Sequence, residues 1–230
     1  MPYTALLLDL DHTLLDSDAS ERLAFERALA SAGVAAPGRY RPEFDRINRA
    51  LWAQVERGEI SAVHVRTTRF TQLIAATGID ASAEALADAF AGGLGAYGEL
   101  YPGVRDVLDA LVAEPAVSLA LVTNGLSEVQ RVRIDRLGLG RYFDAIAISS
   151  ELGTAKPAPA IFEIALAGLG APAKSSALIV GDSLTSDIQG GRNAGIATCW
   201  YNPQRRPGSP DGLVDHEIST LDALLAFVRP

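Results

Sequence analysis

The stretch Ala5-Leu6-Leu7-Leu8-Asp9-Leu10-Asp11-His12-Thr13-Leu14-Leu15-Asp16 decides how the rest of the chain is read. Its opening apolar run, unbroken by polar residues, reads as a buried strand. The run ends in Asp9 and Asp11, spaced i, i+2, with Thr13 behind them. On a regular strand alternate residues share a face, so this spacing predicts two carboxylates crowded at the strand end. Like charges that close repel and raise a pKa unless a cation sits between them, which points to a bound metal or a shared proton. Taken alone, the stretch is an Asp-rich turn. Three further groups tell against that: Thr123-Asn124-Gly125, Lys156-Pro157, and Gly181-Asp182-Ser183 followed by Asp187, each after or near an apolar strand-like run.

Outward from Asp16 the pattern changes to helical periodicity. Leu23, Phe25, Ala28, Leu29 and Ala32 fit one helical face, with Ser17 or Asp18 as N-cap and Gly33 as stop. Phe44, Ile47, Leu51, Trp52 and Val55 form a second face, ended by Gly58. Ser61 caps a third helix, which carries Phe70, Leu73 and Ile74 and stops at Gly78. Ser82 caps a fourth, with Leu86, Phe90 and Leu94, whose end is weakened by Gly92, Gly93 and Gly95. Helices in succession without a strand between them predict a small bundle, inserted over residues 17–97. Tyr101-Pro102-Gly103 marks the return.

Beyond that turn, strands and helices alternate. Val117–Val122, Ala145–Ile148, Ala177–Val180 and Ile196–Tyr201 read as strands. Val104–Val112, Val129–Leu137, Ile161–Leu169 and Asp187–Ala194 read as the helices between them. Such alternation implies an α/β fold, a parallel sheet with helices on both faces. Residues 202–216 read as a surface loop, and Leu221–Val228 as a closing helix. Ligands of open α/β sheets bind at the carboxyl ends of the strands. Asp9, Thr123 and Asp182 lie at such ends, and Lys156 in the loop after another. Singly, these groups are a turn, a helix entry and a helix cap; their joint placement is what those simpler readings leave unexplained.

In this order, Asp9-Leu10-Asp11-His12-Thr13, Thr123, Lys156 and Gly181-Asp182 with Asp187 resemble the four motifs of the haloacid dehalogenase-like hydrolase superfamily. Ile47-Asn48-Arg49-Ala50-Leu51-Trp52, Arg69-Phe70 and Ala194–Asn202 resemble its pyrimidine 5'-nucleotidase branch. The resemblance implies a Rossmann-like core (residues 1–16 and 98–230) and a four-helix cap domain (17–97). It implies an Mg²⁺-dependent phosphomonoesterase for a small-molecule phosphate ester, with Asp9 as nucleophile and Asp11 as acid and base. Mg²⁺ is expected between the Asp9 carboxylate, the Asp11 carbonyl and the Asp182 carboxylate. Asp187 is expected to orient a metal-bound water or Lys156. Thr123, Asn124 and Lys156 would hold phosphoryl oxygens, and Asn48, Trp52 and Arg69 would read a nucleoside base. Core packing is the competing reading for Trp52. Dehalogenases of the superfamily lack an acid at the Asp11 position, so its presence favours a phosphate ester. His12 departs from the small residue usual there and is expected beside the site; His64 and His216 carry no motif and read as surface or cap residues. A sugar-phosphate or phosphoglycolate phosphatase shares the same core motifs. A non-enzymatic phospho-receiver also uses an Asp, a Thr and a Lys, but leaves the inserted helices unexplained.

Composition sets the outer bounds. With 48% hydrophobic residues the chain can bury a core. A net charge of −8 disfavours a nucleic acid polymer, whose binding rests on basic contacts. Cys199 stands alone, so no intramolecular disulfide can form and a reducing compartment fits. The N-terminus has no basic leader, and no run reaches membrane-span length. The expectation is a cytoplasmic monomer or homodimer.

Overall fold

The computed structural model describes residues 2–207 and 212–228. Among these residues six parallel strands form one sheet in the order β3-β2-β1-β4-β5-β6. Along the chain the elements are β1 (Ala5–Leu8), α1 (Ser17–Ser31), α2 (Arg41–Glu56), α3 (Ala62–Thr77), α4 (Ala83–Ala96), α5 (Val104–Val112) and β2 (Ser118–Thr123). There follow α6 (Ser127–Arg136), β3 (Ala145–Ile148), the single turn α7 (Ser149–Leu152), α8 (Pro159–Gly168) and β4 (Ala177–Gly181). The chain closes with α9 (Gln189–Ala194), β5 (Ala197–Tyr201), β6 (His216–Ile218) and α10 (Leu225–Val228). The central strand β1 pairs Leu8 with Leu121 of β2 on one side and with Val180 of β4 on the other. The chain grows outward from β1 through β2 to β3, then crosses back to β4. The β1–β4 crevice is therefore the point at which strand order reverses, where open α/β sheets place their ligands.

Alternation along the strands explains the unbroken apolar runs. Leu6 and Leu8 face α5, α6 and α10. Ala5 and Leu7 face α8 and α9 across the sheet. A parallel sheet covered on both faces favours near-continuous apolar runs in its central strands. The Rossmann-like α/β class read from the sequence is the observed one.

Between β1 and α5 lie four helices with a core of their own. Each contributes one phenylalanine: Phe25, Phe44, Phe70 and Phe90. Phe44 sits centrally, with ring centroids 4.5, 5.6 and 5.2 Å from the other three, within the range of favourable aromatic pairs. Ser61 and Ser82 cap α3 and α4 as their sequences indicate, each accepting from the backbone N–H three residues on.

Several sequence expectations need correction. The N-cap of α1 is Asp16, whose carboxylate accepts from the N–H of Ala19, not Ser17 or Asp18. Gly93 and Gly95 lie inside α4 instead of fraying its end. A Cβ on Gly93 would fall 2.8 Å from that of Ala24, so the glycine lets α1 and α4 approach closely. The orphan carbonyls at the end of α4 are taken by Arg133 and Arg136 of α6, which bond Leu94 O at 2.8 Å and Gly95 O at 3.1 Å. The region read as a helix from Asp187 opens earlier, with a wide π turn over Leu184–Ile188. His216 begins β6, bonds the Tyr3 hydroxyl at 2.9 Å and stacks 4.5 Å from Phe227, so it is neither a free surface residue nor part of the four-helix unit. The surface loop read over 202–216 includes 208–211, which lie outside the described residues. Among the described residues no helix is long and apolar enough to cross a membrane.

Candidate active site

β1 ends at Leu8, so Asp9 and Asp11 stand beyond it and the i, i+2 rule for a strand face no longer applies. The backbone of His12 takes φ 63°, which is uncommon for a side chain of its size. The two carboxylates consequently part company. Asp9 turns inward, and its carboxylate meets the Lys156 ammonium and accepts from the Thr13 hydroxyl at 3.1 Å. Asp11 turns towards α6 and accepts from Gln130 and Arg133, each at 2.7 Å, and from Ser17 at 2.5 Å. The crowding expected of Asp9 with Asp11 occurs instead among Asp9, Asp182 and Asp187. One oxygen from each of these lies within 4.8 Å of the others.

Lys156 is the counter-charge of this cluster. Its Nζ also donates to Asp187 at 2.6 Å and to the carbonyl of Val122 at 2.8 Å, so its three N–H bonds are all used. Burial disfavours the ammonium, but the Asp187 and Asp9 carboxylates outweigh burial and raise the Lys156 pKa. Burial pushes Asp9 up, with the Asp187 charge adding to it and Lys156 opposing. Asp182 is raised to about 6 by burial and then by the charge of Asp9. Buried carboxylates that outnumber the adjacent ammonium call for a cation. Asp187 has both oxygens engaged, by Lys156 and by the N–H of Ser183 at 3.1 Å. Asp9 is engaged in the same way, by Lys156 and Thr13, whereas the Asp182 carboxylate stands 3.8 Å from Arg206 and is the freest of the three for direct ligation. Hard carboxylate oxygens suit a small divalent ion.

The supporting contacts account for the motif spacings. Thr13 bridges two motifs: its hydroxyl donates to Asp9 and accepts from the N–H of Asp182 at 3.1 Å. Gly181 is required because a Cβ there would fall 2.2 Å from the Asp187 carboxylate. Trp200 on β5 donates from its indole to the Asp182 carbonyl at 2.9 Å, as does Arg206, and Asn202 holds the Arg206 backbone at 2.9 Å. Asn124 brackets Lys156, accepting from its N–H at 2.8 Å and donating to its carbonyl at 2.9 Å. Thr123 is fully buried, and its hydroxyl accepts from Gln130 at 2.8 Å. Cys199 is buried and its thiol is pushed up to about 12 by burial, which makes it unreactive.

Above the strand ends lies a cavity of about 520 Å³, within the usual range for small-molecule sites. Its floor includes Asp9, Asp182 and Lys156; its roof includes Asn48, Trp52 and Arg69 of α2 and α3. Trp52 is half-buried and also packs against the phenylalanine core, so it serves both surfaces. Asn48 and Arg69 are buried and joined, Arg69 Nη1 donating to Asn48 Oδ1 at 3.1 Å. His12 lines the cavity 4.0 Å from Asp18. Burial favours its neutral ring, but Asp11, Asp182 and Asp18 outweigh burial and raise its pKa.

Sequence reasoning missed Gln130 and Arg133. Their signal was a polar pair at i, i+3 beside Val129, Ile134 and Leu137, which places two polar side chains on the buried side of a helix. Arg133 also bonds Ser20 at 3.0 Å and the Leu94 carbonyl, so one guanidinium ties Asp11 to α1 and α4. Burial raises the Asp11 pKa, but Arg133, Ser17 and Gln130 outweigh it and hold the group below the ordinary carboxylate value.

Comparison with known proteins agrees with this geometry. PynA, a pyrimidine 5'-nucleotidase of Streptococcus pneumoniae, is 37% identical over 98% of this chain and 94% of its own. YjjG, a pyrimidine 5'-nucleotidase of Escherichia coli, is 33% identical over 93% of this chain and 92% of its own. The structure of YfnB from Bacillus subtilis, solved bound to magnesium, aligns with a TM-score of 0.89 and 31% identity over 100% of both chains. Residues 3–195 match the model of a haloacid dehalogenase-like hydrolase. With its acidic cluster at the reversal point of a parallel sheet and its near-full-length relatives, the chain belongs to the haloacid dehalogenase-like hydrolase family.

Proposed function

We propose that this hydrolase is an Mg²⁺-dependent phosphomonoesterase that works through an aspartyl-phosphate on pyrimidine nucleoside 5'-monophosphates. The observation that carries the reading is the buried Asp9 carboxylate, held by Lys156 and Thr13, on the floor of a roofed cavity. Asp9 attacks phosphorus, the ester P–O bond breaks, and the leaving alkoxide takes a proton from Asp11. Asp11 then accepts a proton from water as that water attacks the phosphorus of the aspartyl-phosphate. Inorganic phosphate leaves and the Asp9 carboxylate returns. Asp11 reaches the acid role by leaving Arg133, since that ion pair favours its charged form. Lys156, by giving up one of its three present bonds, and the backbone N–H of Asn124 would hold phosphoryl oxygens, with Thr123 buried behind them at the end of β2. Asp9, Asp182 and the carbonyl of Asp11 would hold Mg²⁺, with Asp187 keeping Lys156 in place. When bound, the ion offsets the repulsion between an anionic nucleophile and an anionic substrate. Residues 17–97 act as the cap that excludes water from the reacting groups, over a core of 1–16 and 98–230.

Two expected results bear on this reading. Chelation stops phosphate release and Mg²⁺ restores it; Asp182→Ala raises the half-activating Mg²⁺ concentration by at least about tenfold, as expected when a carboxylate ligand is lost. Full activity in excess chelator would take the metal out of the scheme. Asp11→Asn slows nucleotides far more than p-nitrophenyl phosphate, because an activated phenolate departs without a proton and a ribose alkoxide does not. Equal losses on both substrates would make Asp11 a structural residue. The nucleotide assignment itself is tested by ranking kcat/KM: pyrimidine monophosphates are expected above AMP, GMP and phosphoglycolate, and the reverse order would replace the substrate while leaving the phosphatase.

A further inference from the structure

The cavity roof contains a polar constellation that the core motifs leave unused. Arg41, at the start of α2, donates from Nη2 to Oε1 of Glu21 on α1 at 3.1 Å and from Nε to Asp45. Its remaining terminal nitrogen, Nη1, is buried with no hydrogen-bond partner. That atom is sealed from solvent, and so from an occupant of the cavity. The donor left for an occupant is the second N–H of Nη2, whose first is spent on Glu21. Asn48 is oriented by its neighbour. Arg69 carries only donors, so Asn48 must turn its Oδ1 towards Arg69 and its Nδ2 towards Glu21, 3.5 Å away. Both recorded bonds to Glu21 fall on Oε1. Arg41, Glu21, Asn48 and Arg69 all line the same cavity. The guanidinium of Arg41 lies 5.9 Å from the Phe25 ring and 5.8 Å from the Phe44 ring, and that of Arg69 lies 4.7 Å from the Phe90 ring, so the constellation rests on the rigid aromatic core.

Resting on the nucleotide reading above, we infer that Glu21 and Arg41 are specificity residues that, with Asn48, read the imide edge of uracil or thymine. The roof offers a donor at Arg41, an acceptor at Glu21 and a donor at Asn48. An imide presents the complement: carbonyl, N–H, carbonyl. Cytosine presents an amino group, a bare ring nitrogen and one carbonyl. Its ring nitrogen would face the Glu21 carboxylate, acceptor against acceptor, and its amino group would face a donor. Discrimination of this kind comes from leaving buried polar groups unpaired with the wrong ligand. The pairing of Arg41 with Glu21 and Asp45 also spends its charge, so the roof suits a neutral polar leaving group over a carboxylated one.

The test uses the unaltered enzyme first. The kcat/KM of dTMP is compared with that of its N3-methyl derivative and of dCMP. Methylation removes the central N–H and is expected to lower kcat/KM at least about tenfold, with dCMP similarly disfavoured. Glu21→Gln is then expected to shrink the dTMP to dCMP ratio at least about tenfold, since a carboxamide can turn a donor towards cytosine. Equal use of dTMP and its methylated form overturns the assignment, whatever happens to the stability of E21Q. So does a ratio that E21Q does not move in a folded protein. A panel led by purine nucleotides or phosphoglycolate overturns the nucleotide reading instead, and the two failures are told apart by that ranking.

Discussion

Replacing Asp9 with asparagine stops turnover and leaves the fold standing. The substitution keeps the shape of the side chain and an oxygen to accept from Thr13. Lys156 retains two of its three partners, Asp187 and the Val122 carbonyl. What disappears is the anionic oxygen that attacks phosphorus in the proposed mechanism, and a carboxamide oxygen is too weak a nucleophile to replace it. Loss of an essential covalent catalyst lowers kcat by at least about 10⁴-fold. Phosphate release from saturating dTMP, alongside thermal melting, checks both halves. A variant that melts like the parent and keeps near-native kcat would remove the covalent step.

Lys156→Met has the largest expected effect on stability. Lys156 is almost fully buried, as are Asp9 and Asp187, and it is the ammonium that joins them. Methionine fills much of the space but carries no charge, so two buried carboxylates lose their partner. Removing one member of a buried ion pair costs about 3–5 kcal/mol. For a chain of this length that corresponds to a fall in Tm of about 6–20 °C. Turnover falls as well, because Asp9 without the ammonium beside it shifts towards its protonated, non-nucleophilic form. Asp187→Asn is milder, since Lys156 keeps Asp9 and the Val122 carbonyl. Chemical denaturation of the two variants and the parent measures the difference. A Lys156→Met protein within about 1 kcal/mol of the parent would show that the ion network carries no stability.

The sequence made the sheet legible because its strands are buried on both faces and therefore carry unbroken apolar runs, as in Leu6–Leu8 and Leu178–Val180. The four helices between β1 and α5 were legible because each brings a phenylalanine to one shared core at helical spacing. Of the candidate site, position was legible where a residue stands just past a strand end, as for Asp9 and Asp182. It was not legible where backbone conformation decides direction. The positive φ of His12 sends Asp11 to Arg133 instead of towards Asp9, and no strand-based rule anticipates that turn. Nor does a local pattern announce Glu21 and Arg41, which lie on different helices and meet only when the bundle packs. β6 was hidden for another reason. It has three residues at the sheet edge, too few to show a period.

The central claim is that phosphorus passes through Asp9. Enzyme mixed with dTMP and Mg²⁺ is quenched in acid within milliseconds, reduced with borohydride and mapped by mass spectrometry. Borohydride converts an aspartyl-phosphate to homoserine, so the account predicts homoserine in place of Asp9 in the parent enzyme and none there in Asp9→Asn. Homoserine at any other aspartate, or substrate-dependent release of phosphate in a burst with Asp9 unmodified at every quench time, would contradict it.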